Sequence, residues 1–214
     1  MSLVPSADDP EGCGVDPTPA PFEPEATAQW WDESQRPTVG PSPSAVTYSV
    51  LGRDVAQHLV DVHDHFRSEL NQLLDLLEQL RGGLIGGGQA RSFIAGMTIR
   101  QNSWTVGAYC ASYCRMLTQH HGMEDSAIFP HLRSSEPGLA PVLDRLAEEH
   151  LVIHGILESV DAALVGHLLD PTDVSLIDQA ADALARTLLS HLAYEESQLL
   201  APLARYGFYS GQVR

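Results

Sequence analysis

The stretch TQHHGMEDSAIFPHL, residues 118–132, sets His120 beside His121, puts Glu124 and Asp125 four positions after them, and adds His131 beyond Pro130. Residues i and i+4 of a helix share a face, so an imidazole and a carboxylate at this spacing can converge on one point. The chain repeats the pattern. His150 and His154 are four apart, His191 and Glu195 are four apart, and His63 lies in an earlier segment. TQHHGMEDSAIFPHL and LSHLAYEESQLLAPL echo each other, each with His, Glu four later, an apolar pair and then Pro.

The positions fall on apolar stripes. Tyr113, Leu117, His120, Glu124 and Ile128 form one; Leu143, Leu146, His150, Ile153, His154 and Leu157 a second; Leu188, His191, Glu195 and Leu199 a third. Leu59, His63, Phe66, Leu70, Leu73, Leu77 and Leu80 form a fourth. Burying ionisable groups without partners costs several kcal/mol. A cation offsets the desolvation of imidazoles and carboxylates together, so a metal is the common explanation. Five histidines and two carboxylates exceed what one ion accepts. The spacing predicts two ions, with Glu124 and Glu195 between them and histidines completing each shell. Imidazole mixed with bridging carboxylate favours iron, and the absence of thiolate in the set argues against a structural zinc site.

Four long helices must position these residues. The first starts from residue 46 and ends at the glycines of RGGLIGGG, 81–88. A short helix is expected around 89–97, then a long one over about 103–132, broken by SSEPGLAP. A third helix follows, stopped at DPTD with Asp170 as N-cap and Pro171 at the first helical position. The fourth spans about 172–204, before Gly207. No strand-like alternation is present. The fold class expected is all-α, an up-down-up-down four-helix bundle.

The series His63; His120-x-x-x-Glu124; His150-x-x-x-His154; His191-x-x-x-Glu195 resembles the hemerythrin family in its bacterial HHE-domain branch, over about residues 46–206. The HHGMED…FPHL and HLAYEE blocks carry the resemblance together. It implies a four-helix bundle around two non-heme iron ions, bridged by oxo or hydroxo, that binds or senses O2, NO or peroxide. Carried over by position, one iron takes His150, His154 and His191, and the other takes His63 and His120. Glu124 and Glu195 bridge. The alternatives are a di-iron enzyme, peroxidase-like, catalase-like or NO-consuming, and a metal-stabilised bundle acting as an interaction module. A ferritin-like oxidase would need more glutamates and two Glu-x-x-His motifs, whereas here His precedes Glu.

Several positions stay open. His63 is preferred over His58 and His65 because it shares a stripe with Phe66 and Leu70. His121 is an alternative or additional ligand, and Glu196 competes with Glu195. Tyr113 is expected to be a core tyrosine, with a hydrogen bond to a bridging oxygen or ligation of iron as the alternative. Asp125, Glu148 and Glu149 read as exposed, with hydrogen bonds to imidazole N–H groups the alternative. His131 and His167 read as surface residues. MTIRQNSWTVGAYC, 97–110, is a candidate cover for the pocket mouth.

Composition sets the outer limits. The formal net charge is −16, with 12 cationic residues, all arginine, against 28 acidic ones. Such a chain repels phosphates and anionic membranes, which speaks against nucleic-acid and membrane partners. Three cysteines make no C-x-x-C pair; Cys110 and Cys114 read as small half-buried apolar residues. The start shows no secretory signal, so a cytoplasmic location is expected. Nine of the 14 prolines and eight acidic residues crowd into residues 1–45 with the single Arg36. This region is expected to be disordered and dispensable for metal binding, with Trp30 and Trp31 able to dock on the folded body or a partner. Residues 46–206 form the bundle, and 207–214 a C-terminal tail.

Overall fold

The computed structural model describes residues 13–40, 46–81, 106–169 and 175–213. Among them every long element is helical and no strand occurs. The helices are α1 (Val50–Arg81), α2 (Val106–Met123), the short α3 (Phe129–Ser135), α4 (Ala140–Leu169) and α5 (Ser175–Tyr206). The expected glycine stop at 82–88, the short helix at 89–97, the cover at 97–105 and the caps Asp170 and Pro171 lie outside the described residues. So do the side chains of Cys110, Cys114 and His167.

Local chemistry accounts for the boundaries. The Ser49 hydroxyl accepts the Gly52 N–H at 3.0 Å and so caps the start of α1. Gly207, at φ +77°, sends its N–H to the Leu203 carbonyl at 2.8 Å and closes α5 in the left-handed conformation glycine allows. The expected single helix over 103–132 is interrupted. Glu124–Ile128 forms a π-helical turn in which the Phe129 N–H reaches back to the Glu124 carbonyl. Pro130 has no N–H to return to the carbonyl four residues earlier, so the ladder widens by one residue just before it. The chain then continues as α3.

Helix α1 packs on α5, α5 on α4, α4 on α2 and α2 on α1, as in a helical bundle. Two apolar clusters fill the interior. One holds Phe66, Leu70, Tyr113, Leu117, Ile153 and Leu188. The other holds Leu59, Ile128, Leu132, Leu143, Leu146 and Leu199. Each fully buried side chain of this size contributes about 1.5–3 kcal/mol. That burial supports the layer lying between the two clusters, which is built of histidine and glutamate.

Residues 13–40 do not match the expected disordered tail. They lie along the bundle, with short 3-10 turns at Pro24–Thr27 and Glu33–Gln35. Cys13 is buried in one apolar cluster and Trp31 in the other. The Tyr194 hydroxyl donates to the Pro37 carbonyl at 2.6 Å, and the Val39 N–H donates to Gln198 at 2.6 Å. Proline restricts the unfolded chain and removes donors that would otherwise need partners. A proline-rich segment with a few anchors can therefore order where its composition alone suggests it cannot.

Candidate metal centre

Each of four helices turns titratable side chains into the layer between the apolar clusters. Helix α1 supplies His63, fully buried, while His58 and His65 on the same helix are exposed. Helix α2 supplies His120 and His121, and Glu124 follows as the first residue of the π turn; all three are buried. Helix α4 supplies His150, and α5 supplies His191 and Glu195.

These side chains form two groups whose donor atoms lie within 4.8 Å of one another: His63, His120, Glu124 and Glu195 in one, and His121, His150 and His191 in the other. The two glutamates connect the groups. Glu124 Oε1 is 3.1 Å from His120 Nε2, and its Oε2 is 3.6 Å from His150 Nε2. Glu195 Oε2 is 3.6 Å from His63 Nε2 and 3.5 Å from His191 Nε2.

His154 is a correction to the expected set. Its side chain is 55% exposed and approaches Glu158 on the solvent side of α4. Successive helical residues turn by about 100°, so a step of four overshoots a full turn by about 40°. His150 already stands at the edge of the buried stripe, and the extra turn carries His154 into solvent. His121 stands where the sequence reading assigned His154. His120 and His121 straddle the middle of the α2 stripe, about 50° to either side, so adjacent imidazoles enter the two different groups. The His121 and His150 rings stack at 4.0 Å.

Tyr113 is fully buried in the apolar cluster, and its hydroxyl donates to the Phe66 carbonyl at 3.4 Å. Glu196 is buried but faces away from the donor atoms. It accepts the Nδ1 proton of His63 at 2.8 Å. His131 lies partly buried and donates to the Tyr206 carbonyl at 3.1 Å.

Carboxylates stand behind three of the imidazoles. Glu196 accepts from His63, Asp125 accepts from His150 Nδ1 at 2.9 Å, and Glu149 accepts from His191 Nδ1 at 3.2 Å. Each bond holds the proton on Nδ1 and leaves the Nε2 lone pair aimed at the centre, the tautomer a metal ligand requires. Glu149 departs from the exposed position expected of it and is buried, while Asp125 is exposed as expected and makes the alternative hydrogen bond as well. A signal was present for Glu149, which lies between Leu146 and Ile153 at core spacing. Glu148 is exposed and approaches Arg145, as expected.

The outer carboxylates have their own supports. Glu149 meets Arg36 through both oxygens, at 2.8 and 2.9 Å, and Arg145 at 3.0 Å. Glu196 meets Arg67 at 2.8 Å and the Thr18 main-chain N–H at 2.7 Å. Burial would raise the Glu149 carboxyl, but hydrogen bonds from His191 and Arg36 outweigh it and pull it down to about 2. Glu196 is also lowered, burial being outweighed by the His63 and Thr18 bonds.

The electrostatics of the centre favour metal-ready donors. Burial pushes His120 down to about 3 and His121 well below its ordinary value, so both are neutral at physiological pH. His191 is lowered by burial as well, against the pull of Glu149. Burial and the adjacent Glu195 charge raise Glu124 well above the usual carboxylate range. Glu195 is lowered because the surrounding imidazoles outweigh its own burial.

The donor set fits a cation. Nε2 of His121, His150 and His191, both Glu124 oxygens and Glu195 Oε2 are buried and make no hydrogen bond among the described residues. His63 Nε2 and His120 Nε2 stand 3.3 Å apart. Orphaned polar atoms in a buried interior are costly, and six converging on one layer are rarer still. A positive ion in each group would satisfy them together.

Comparison with known proteins agrees with this chemistry. A family model, the hemerythrin HHE cation-binding domain, matches residues 54–203. No curated protein and no solved structure matches the chain significantly.

Proposed function

Because the chain belongs to the hemerythrin HHE cation-binding family, we propose that it holds two non-heme iron ions and uses them to bind or sense a small ligand such as O2, NO or peroxide. One observation carries the reading: two adjacent groups of buried imidazole Nε2 atoms joined by two carboxylates, with six of the facing atoms left without hydrogen bonds among the described residues. The residues that would hold the ions are His63 and His120 on one side and His121, His150 and His191 on the other. Glu124 and Glu195 would lie between them. Imidazole and carboxylate donors without thiolate suit iron. When bound, such a pair supplies reversible electron transfer to and from a small ligand.

The chain's own residues do the rest. Phe66, Leu117, Phe129 and Ile153 exclude water from above and below the layer. Glu196, Asp125 and Glu149 hold protons on Nδ1 of His63, His150 and His191. An up-down-up-down order is favoured because the helices alternate in how they pass the two apolar clusters. Helix α1 runs from Leu59 to Phe66, α2 from Leu117 toward Ile128, α4 from Leu146 to Ile153 and α5 from Leu188 to Leu199.

The test is metal analysis of protein produced in iron-replete medium, with optical spectra recorded after anaerobic reduction and then after exposure to air, NO or peroxide. About two irons per chain and a ligand-dependent band are expected. One zinc and no iron would end the di-iron reading.

A further inference from the structure

The segment 13–40 makes two contacts that its composition does not suggest. Arg36 is 8% exposed and grips Glu149, itself 1% exposed, as a two-pronged fork. One prong ends on Oε2, at 2.9 Å, the same oxygen that accepts from His191 Nδ1. Arg145 reaches only Oε1 and Glu148. Arg36 therefore fixes the rotation of the carboxylate that aims His191.

Arg36 is fixed in turn. Its guanidinium lies over the Tyr194 ring at 4.6 Å and the Trp31 ring at 5.3 Å. Glu33 of the same segment accepts the hydroxyl protons of Thr27 and Ser190. At the other end of the segment, the Thr18 N–H donates to Glu196 Oε2 at 2.7 Å, while the other oxygen of Glu196 accepts from His63. One imidazole from each donor group thus depends on an outer carboxylate that the N-terminal segment holds.

We propose that residues 13–40 are an integral part of the metal centre: Arg36 acting through Glu149, and the Thr18 main chain acting through Glu196, are positioning groups that hold His191 and His63 in ligating geometry. The inference rests on the metal reading above and goes beyond it. It replaces the expectation of a dispensable tail. Neither group touches the donor atoms; both act by fixing the orientation and tautomer of a ligand. Partners of this kind are worth about 10- to 100-fold in metal affinity. A fork is geometrically demanding, so lysine cannot reproduce it.

The test uses the full chain with the variants Arg36→Gln, Arg36→Lys and Thr18→Pro. The last removes the main-chain N–H, in a stretch already flanked by Pro17 and Pro19. Gln198→Ala, which removes the acceptor of the Val39 N–H but neither of the bonds to Glu149 and Glu196, is the control. Each protein is loaded anaerobically with Fe(II). Three readouts follow: the rate of iron extraction by a bidentate Fe(II) chelator, the gain in melting temperature on loading, and the ligand-field spectrum of the Co(II)-substituted form.

Arg36→Gln and Thr18→Pro are expected to speed extraction by about 10-fold or more, shrink the metal-induced gain and shift the cobalt bands. Arg36→Lys should fall between parent and Arg36→Gln, and the control should match the parent. Extraction rates and spectra equal to the parent in both variants would overturn the inference. So would equal loss of melting temperature in the metal-free and loaded forms, since that marks a merely structural role. Should Arg36→Gln not fold, Thr18→Pro decides on its own. A parent chain that takes up no iron or cobalt sinks the metal reading itself, and the inference with it. A parent that binds metal alongside indifferent variants sinks only the inference.

Discussion

Removing His121 and removing His154 should have opposite consequences. His121 Nε2 is buried and faces His150 and His191, whereas the His154 ring is largely in solvent. His121→Ala should therefore cost about one metal equivalent per chain, by the capacity of a three-imidazole group, while His154→Ala should keep the full content. Elemental analysis of both variants beside the parent decides it, and the reverse outcome would put the register of α2 or α4 in error. Glu124 sets a second expectation. Its carboxyl is raised well above the usual carboxylate range by burial and by the charge of Glu195, which favours the protonated form in the metal-free protein. A cation must displace that proton, so metal affinity should rise with pH and loading should release protons. Proton release on Fe(II) addition in weakly buffered solution measures this. Glu124→Gln should release fewer protons and bind more weakly.

The elements depend on one close approach. A Cβ on Gly52 would stand 2.1 Å from the Ala204 carbonyl oxygen, so the start of α1 lies against the end of α5 where no side chain fits. Gly52→Ala must push the two helices apart. Overpacking of this kind costs about 1–3 kcal/mol, and the contact is with rigid backbone rather than a flexible side chain. Gly122→Ala meets nothing within 4 Å and is the matching control on α2. Chemical denaturation should show a loss for the first variant and a small gain for the second, because alanine is the better helix former. Equal behaviour would contradict the α1–α5 spacing.

At the scale of the whole molecule, acid and metal act through the same layer. The Glu149 carboxyl falls from an ordinary 4.5 to about 2 in the folded protein. A lowered carboxyl contributes stability that is present above its unfolded value and lost as pH falls through the folded one. Glu149 should thus contribute ~3 kcal/mol above pH about 4.5, disappearing by pH about 2. Denaturation of metal-free protein across this window should show the slope, and Glu149→Gln should flatten it. Metal works in the other direction. A ligand at 100 times its dissociation constant adds about 2.7 kcal/mol, which for a chain of this size is roughly 5–10 °C in melting temperature. Chelation should remove that gain. No helix among the described residues is long and apolar enough to cross a membrane.

Spacing alone determined much about this protein. Steps of three and four put Leu59, His63, Phe66 and Leu70 on one stripe and Tyr113, Leu117, His120 and Glu124 on another, because helical geometry is local and repeats. Histidine and glutamate recurring on such stripes of four helices pointed to a cation, which offsets their burial together. The family followed from the same residues. What spacing could not decide was how far round its helix each residue sits from the true centre of contact. His154 drifts about 40° beyond His150 into solvent, while His121 turns inward beside His120, and both outcomes depend on where the neighbouring helices lie. Nor could composition reveal that the proline-rich segment would order. Its anchors are a few long-range contacts, Arg36 to Glu149 and Thr18 to Glu196, between residues more than a hundred positions apart. Tertiary structure alone brings such residues together, because no local rule links an arginine in an irregular segment to the carboxylate behind a distant histidine.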